Sequence, residues 1–236
     1  MITSAQKLLM ARAGAKKEYY ASVLLNTDSA TSSSDFVDSG IYNLTLTPRN
    51  ADASVSTTEF KYGVSSAYFA NDATGVSFPS TNLLNLDADF TIESWCYKSG
   101  TTAKVIVGSL YPGINNQVQF DQGGANNLGI YHPSTGWESV DMGSSPDNTW
   151  FHVAITREGS TLRYYLDGVY KGTNTSSETY QFSQGAIGAL AGYWDFGWVG
   201  YLDDFRIVKG LAVYTTTSSF TPPTAALSAG PLQREN

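Results

Sequence analysis

The sequence is poor in the residues that metal-binding, redox and nucleic-acid-binding proteins use. A single cysteine, Cys96, excludes an internal disulfide, and no CxxC or HExxH motif is present. Fourteen Lys and Arg residues stand against 21 Asp and Glu residues, for a formal charge of −7. Phosphate backbones are bound through clustered positive charge, so nucleic acid is not expected as a main partner.

Long apolar runs are missing as well. No stretch approaches the ~20 apolar residues of a membrane-spanning helix. Residues 1–14 lack the compact apolar segment and the cleavage context of a secretory signal peptide. We therefore expect a protein that is made inside the cell and is not inserted in a membrane.

The residue pairs and motifs of common hydrolases are also lacking. The chain has two histidines, His132 and His152, and no GxSxG motif. His152 alternates with Ala154 in an apolar stretch, which favours a hydrogen-bonded structural imidazole over a catalytic one. Cys96 shares its parity with Phe90 and Ile92, which favours a buried small hydrophobe over a nucleophile.

Aromatic and turn-forming residues are abundant instead, among them 15 tyrosines, five tryptophans and 22 glycines. Short alternating segments bounded by turn residues predict one all-β domain with many strands. Residues 89–97 (DFTIESWCY) alternate most strongly, and residues 42–47 (YNLTLT) also predict a strand. Asp167-Gly168 between alternating hydrophobic residues predicts a hairpin with a type I′ turn.

The first 17 residues differ from the rest, being rich in Ala, Leu, Met and Lys. Their spacing predicts a short amphipathic helix that carries Leu8, Leu9 and Arg12. A helix of this length is marginal alone, so it either caps the chain's own domain, frays, or docks as an arm on a neighbouring subunit. We divide the chain into this arm (1–18), a β-domain (19–227) and a C-terminal tail (228–236).

The glycine-bounded stretch 200–210 predicts a strand with an unusual aspartate. Asp203 has the same parity as Phe205 and Ile207, which would place a carboxylate on the core face. Such a carboxylate needs a metal, backbone N–H groups, or a cation such as Arg206 or Lys61. Asp204 has the opposite parity and is expected to face solvent.

Exposed aromatic residues beside amide side chains are typical of carbohydrate sites, because sugars stack their C–H faces on rings. The candidate carbohydrate-binding residues are Tyr193, Trp194, Asp195 and Phe196 in one loop, with Tyr111 and Trp137 in others. The alternative is that these aromatic residues pack under loops or in contacts between subunits.

Seven segments occur in the order found in one known family. They are SVLL (22–25), FVDSG (36–40), SAYF (66–69), FTIESW (90–95), WFHVAITR (150–157), LRYYLDGVYKG (162–172) and GYLDDFRIVKGLAVYTTTSSFTPPTA (200–225). The sequence thereby resembles the laminin G-like modules of the concanavalin A-like lectin/glucanase superfamily, as found in bacteriophage virion structural proteins. The resemblance implies a two-sheet, antiparallel, jelly-roll-like sandwich, with the short N-terminal helix outside it.

The resemblance also implies a possible calcium ion. Family members often carry an acidic loop after the SAYF-type strand and an aspartate in the GYLDD-type strand. Asn71, Asp72 and Asp203 match these positions, although the loop has one carboxylate where the family often has two or three. Calcium requires six to eight oxygen ligands, so these three would supply part of a site.

Enzymatic activity is not expected. The glucanase branch uses a Glu-x-Asp-x-x-Glu strand, and no glutamate here has that spacing. Glu93 lies on a comparable strand without partners, and we interpret it as a surface or groove carboxylate.

The resulting hypothesis is a non-enzymatic phage virion protein, of capsid-decoration or head-fibre type, that displays a lectin-like module and is anchored by its arm. It would contact capsid or tail proteins, or its own copies. The alternative is a tail-associated module that recognises host surface glycans.

Overall fold

The computed structural model describes residues 17–100, 104–111, 114–121, 126–144, 146–192 and 196–235, without the side chains of Tyr111 and Ile114. The strands in this part of the chain are β1 (Ala21–Leu25), β2 (Thr47–Pro48), β3 (Ala53–Ser56), β4 (Ser66–Phe69), β5 (Val76–Ser77), β6 (Asn85–Leu86), β7 (Phe90–Lys98), β8 (Lys104–Tyr111), β9 (Ile114–Phe120), β10 (Asn127–His132), β11 (Gly136–Asp141), β12 (Trp150–Glu158), β13 (Thr161–Leu166), β14 (Val169–Thr175), β15 (Tyr180–Gln181), β16 (Ala186–Ile187), β17 (Leu190–Ala191) and β18 (Gly200–Lys209). One 3₁₀ turn, Asn82–Leu84, precedes β6.

Two large sheets form the domain. Sheet I has the order β14-β13-β12-β7-β18-β4-β3, with β1 also paired to β18. Sheet II has the order β11-β10-β9-β8-β16-β5-β2, with β17 paired to β8. Apart from the parallel pair of β17 and β8, the paired strands are antiparallel. The expected all-β antiparallel sandwich of two sheets is confirmed.

The core lies between the sheets and follows the alternation of the strands. Phe90, Ile92 and Cys96 of β7 belong to this core, as do Val118 and Phe120 of β9. Successive side chains of a strand point to opposite faces, so the other residues of these strands lie on the outer faces of the sandwich. Cys96 is fully buried, as predicted.

The chain after β18 covers part of the outer face of sheet I. Leu211, Val213 and Tyr214 form a second apolar cluster with Ala154 and Tyr165 of sheet I. Phe220 stacks on Tyr214 with ring centroids 4.0 Å apart. Farther along, Leu232 forms a bridge with Tyr19, so the two ends of the described chain meet on this side.

The predicted orientation of Asp203 is wrong because β18 contains a bulge. The register of β18 against β7 shifts between Asp203 and Arg206, and Asp204 takes a left-handed φ of 50°. One residue is thereby inserted between Leu202 and Phe205, which both face the core. Asp203 instead pairs with Trp95 and lies on the outer face of sheet I with Arg206.

Two local predictions have opposite outcomes. The hairpin turn is confirmed, because Asp167 and Gly168 between β13 and β14 both have positive φ, 49° and 73°. The strand predicted over residues 42–47 is wrong, since the ladder there contains Thr47–Pro48 alone. Asn43 has a φ of 47°, and the N–H of Leu44 donates to the carboxylate of Asp38, so this segment is held as a turn.

The predicted N-terminal helix, with Leu8, Leu9 and Arg12, lies outside the described residues. Within the residues that are described, no helix is both long enough and apolar enough to cross a membrane.

Candidate functional site

The outer face of sheet II carries an aromatic pair at the end of the sheet. Leu128 and Ile130 of β10 point into the core, so Gly129 and Tyr131 point outward. Tyr131 is paired directly with Trp137 of β11, and the two ring centroids lie 5.3 Å apart. Both rings are half-buried, so each keeps an accessible surface.

A glycine beneath the tryptophan determines how the indole lies. A Cβ atom at position 129 would come within 3.0 Å of Cε3 of Trp137 and within 2.8 Å of Cβ of Ser139. Real Cβ atoms essentially never come within 2.8 Å of another heavy atom, and a separation of 3.0 Å is tighter than most real Cβ contacts. The absence of a side chain at Gly129 therefore lets the indole of Trp137 lie close over the backbone of β10.

Amide side chains flank this pair on the next strand. Val118 and Phe120 of β9 face the core, which puts Gln117 and Gln119 on the outer face. Gln117 is paired with Tyr131, and Gln119 with Gly129. We call the surface formed by Gln117, Tyr131, Trp137 and Ser139 the amide–aromatic face; Gln119 has the same orientation but is only 6% exposed.

This combination of groups suits ligands that are apolar on one side and rich in hydroxyl groups on the other. A ring face offers an apolar surface with defined geometry, and the amide of Gln117 offers both donors and an acceptor. Neighbouring strands are about 4.8 Å apart, so the face extends about 10 Å across β9, β10 and β11.

Two of the predicted carbohydrate-binding residues, Trp137 and Phe196, lie in or near the amide–aromatic face. Trp137 lies in it. Phe196 is 52% exposed, and its carbonyl oxygen accepts a hydrogen bond from the N–H of Val105, which pairs with Gln119. Phe196, the last of the four residues predicted in the loop 193–196, thus contacts β8 of the same sheet.

The other predicted residues cannot be placed on this surface. Tyr193, Trp194 and Asp195 lie outside the described residues, and the side chain of Tyr111 is not described either. Sequence reasoning missed Gln117, Gln119 and Tyr131. Glutamines at 117 and 119 alternate with the apolar residues at 118 and 120, and this alternation could have predicted that the glutamines face outward. It does not indicate which strands are adjacent.

The structure does not bring the predicted calcium ligands together. One carboxylate oxygen of Asp203 accepts hydrogen bonds from the N–H groups of Lys61 and Tyr62, at 2.8 and 3.1 Å. Asn71 instead donates to Asp52, 3.0 Å away, in the loop after β4. Among the described residues, no three His, Cys, Asp or Glu side chains are grouped closely enough to hold a metal ion.

Asp203 and Asp204 are a pair of buried carboxyl groups. Burial raises the pKa of Asp203 to about 6, although the N–H groups of Tyr62 and Lys61 act against this. Burial and the adjacent charge of Asp203 raise the pKa of Asp204 to about 7. Asp204 accepts from the N–H of Leu227 and is 2% exposed, so the expectation that it faces solvent is wrong.

Glu93 is also buried, contrary to its interpretation as a surface or groove carboxylate. Its side chain is 1% exposed under the segment that follows β18. Arg206 donates to Oε1, while His152 and Tyr214 lie 3.1 and 2.8 Å from Oε2. Burial alone would raise the pKa of Glu93, but the charge of Arg206 and the hydrogen bonds outweigh burial and lower it to about 2.

A cavity of about 510 Å³ lies beside this cluster, under the C-terminal segment. Two of its polar lining groups are already engaged, since Arg206 also donates to the carbonyl of Ser228 and the hydroxyl of Tyr214 donates to Glu93. We therefore assign this region to the attachment of the C-terminal segment, and His152 to the structural role expected from the sequence.

Comparison with known proteins identifies the fold family. Residues 70–212 match a laminin G-type family described as the concanavalin A-like lectin/glucanases superfamily. No curated protein matches the chain in sequence.

Solved structures with the same fold include sugar-binding and toxin domains. Domain 4 of AbnA, a GH43 extracellular arabinanase from Geobacillus stearothermophilus solved in complex with arabinotriose, has a TM-score of 0.60 at 20% identity, covering 83% of this chain and 95% of that one. The binding domain of botulinum neurotoxin serotype G has a TM-score of 0.57 at 15% sequence identity, and the match covers 79% of this chain and 47% of that one. The binding domain of botulinum neurotoxin DC, in complex with SialylT, has a TM-score of 0.53 at 18% identity, and the match covers 80% of this chain and 47% of that one. The chain thus spans about half the length of the two toxin domains.

Proposed function

Because the chain belongs to the concanavalin A-like lectin/glucanases superfamily, we propose that it is a glycan-binding module that uses the amide–aromatic face. The observation that carries this proposal is the outward pairing of Tyr131 with Trp137 beside the amide of Gln117. Accessible ring surfaces with an adjacent amide provide both kinds of contact that a sugar needs.

Relatives of the same fold support the proposal. The arabinanase domain was solved with arabinotriose, and the neurotoxin DC binding domain with SialylT. At 15–20% identity these structures share the fold alone with this chain. The ligand class is therefore argued from the side chains of sheet II.

We also propose that the module does not act as an enzyme. Glycoside hydrolysis needs two carboxyl groups that flank an accessible bond. Glu93 has no access to a substrate, because it is buried and bound to Arg206 and Tyr214.

The biological setting that we propose is a bacteriophage particle. The support is the order of the seven family-like segments and the different composition of residues 1–18. In this proposal the arm attaches the module to other virion proteins as a capsid decoration or head fibre, and sheet II faces outward. Attachment to the tail, where the same face would recognise host surface glycans, is the alternative.

Binding to an oligosaccharide array tests the glycan proposal. Trp137→Ala is expected to weaken binding of the recognised glycan at least tenfold, or about 1.4 kcal/mol, because it removes the stacking surface. Tyr68→Ala is the matched control, since Tyr68 is a half-buried aromatic residue of β4 in the other sheet. Equal effects of the two variants, or no bound glycan on the array, would contradict the proposal.

Particle assembly tests the second proposal independently. A chain that lacks residues 1–17 should keep its affinity for the glycan and fail to join particles, whereas Trp137→Ala should join particles normally. Normal incorporation of the truncated chain would refute the role of the arm.

A further inference from the structure

The part of the chain that builds the amide–aromatic face is almost free of cations. Residues 101–149, which contain β8 to β11 and the connections between them, include one lysine, Lys104, and no arginine. The same 49 residues include eight Asn and Gln residues and four Asp and Glu residues. This composition is that of a neutral to acidic surface rich in amides.

The single lysine is withdrawn from that surface. Lys104 is 2% exposed, and burial lowers its pKa, while the charges of Asp72, Asp121 and Asp147 act against this. Lys98 of β7 is equally hidden, because its ammonium lies 2.7 Å from Asp121 and 2.8 Å from Asp147. Lys98 is thus neutralised by two carboxylates, and neither lysine is exposed on the amide–aromatic face.

The other ionisable side chains of β10 and β11 divide between the two sides of sheet II. The carboxylate of Glu138 is turned inward, where it accepts from Thr135 and Tyr180. His132 is turned away from Tyr131, against the ring of Tyr180 and the carboxylate of Glu178. Asp141 is exposed and has the parity of Trp137 and Ser139, so a carboxylate borders the face.

From this arrangement we infer that the ligand is an uncharged oligosaccharide that lies across β9, β10 and β11, and that sialylated, uronic-acid and sulfated sugars are rejected. The inference rests on the proposed glycan binding and adds the substrate class of that site. An anionic sugar is bound through charge-assisted hydrogen bonds from arginine or lysine. Here it would lose water without gaining a cation from β9, β10 or β11, and it would approach Asp141 and a protein of charge −7.

The direct test is an array that carries sialylated and sulfated oligosaccharides together with the same oligosaccharides after removal of the charged group. We expect the bound members to be neutral and each charged counterpart to bind at least tenfold more weakly. A charged member bound as tightly as its neutral counterpart would overturn the inference; if that binding is also lost in Trp137→Ala, the proposed glycan binding still stands. An array without bound members overturns both.

A gain of charge tests the cause of the selectivity. Gln117→Arg places a cation on the face beside Tyr131, and it should raise the affinity for the charged sugar relative to its neutral counterpart by about tenfold. Ser54→Arg is the matched control, because it adds the same charge on β3 of sheet I. Equal changes in the two variants would show that net charge, and not the face, sets the preference, and would overturn the inference.

Discussion

Arg206 donates two hydrogen bonds to a single carboxylate oxygen of Glu93, from Nε at 2.9 Å and from Nη2 at 2.6 Å. The two residues are directly paired on β18 and β7, the two central strands of sheet I. Because both side chains are buried, each charge depends on the other. This pair joins the middle of the sheet to the C-terminal segment through Tyr214 and Ser228.

Neutralising Glu93 should therefore be costly. Glu93→Gln leaves the guanidinium of Arg206 buried without a compensating charge, so we expect a loss of about 3–5 kcal/mol in the free energy of unfolding. Urea titration measures the loss. Glu59→Gln, at a half-buried loop position, is expected to change the stability by less than about 0.5 kcal/mol. A loss below about 1 kcal/mol in Glu93→Gln would show that the pair is not needed.

Stability should also depend on pH through Asp204. Its folded pKa of about 7 lies above the ordinary value, so its favourable contribution is complete below about pH 4 and is lost as the pH rises through about 7. Asp204→Asn mimics the protonated form and should be more stable than the parent at pH 8, by about 1–4 kcal/mol, and equally stable at pH 4.

Thermal unfolding at the two pH values, with the exposed Asp72→Asn as control, tests this expectation for Asp204. A parent and an Asp204→Asn variant that differ equally at both pH values would contradict it. Glu93 acts in the opposite direction, because its pKa of about 2 makes its contribution present above about pH 4.5 and lost below it.

Gly129 should control glycan affinity through the position of Trp137. Gly129→Ala places a Cβ atom against the indole and Ser139, so the indole must move and we expect binding to weaken by about tenfold. Gly143→Ala is the control, because the new methyl group would meet open space. The left-handed φ of 75° at this position should cost about 1 kcal/mol of stability, without a change in glycan affinity. Unchanged affinity in Gly129→Ala would show that the indole position is not critical.

Calcium removal should leave the melting temperature unchanged. The carboxylate of Asp203 is occupied by two backbone N–H groups, and Asn71 pairs with Asp52. Differential scanning fluorimetry with EDTA or with added calcium measures the effect. A shift of several degrees that follows calcium would contradict the expectation, and loss of that shift in Asp72→Asn would locate the ion.

The strands of the sandwich could be predicted because alternation is a local property. Residues 89–97 form β7 with a boundary change of one residue, and Asp167-Gly168 forms the expected turn. The orientation of Asp203 could not be predicted in this way. A bulge inserts one residue into the strand, and it reverses every parity argument that crosses it.

The burial of Glu93 and the composition of the binding surface depend on contacts that are distant in the sequence. Glu93 has outward parity, and it becomes buried because Tyr214, 121 residues later, covers it. Trp137 could be named as a candidate from its residue type. To identify Tyr131 and Gln117 as its neighbours, one must know that β9, β10 and β11 are paired. The alternation within a single strand does not give this information.

The bridge between Tyr19 and Leu232 has a consequence for how the domain can be mounted. Tyr19 and Leu232 lie near the two ends of the described chain and meet on the side of sheet I, opposite the outer face of sheet II. A carrier attached through either end of the described chain would therefore lie on the side of the domain that is opposite the amide–aromatic face. A short linker between the two ends should also permit circular permutants that open the chain elsewhere and keep the same sheets.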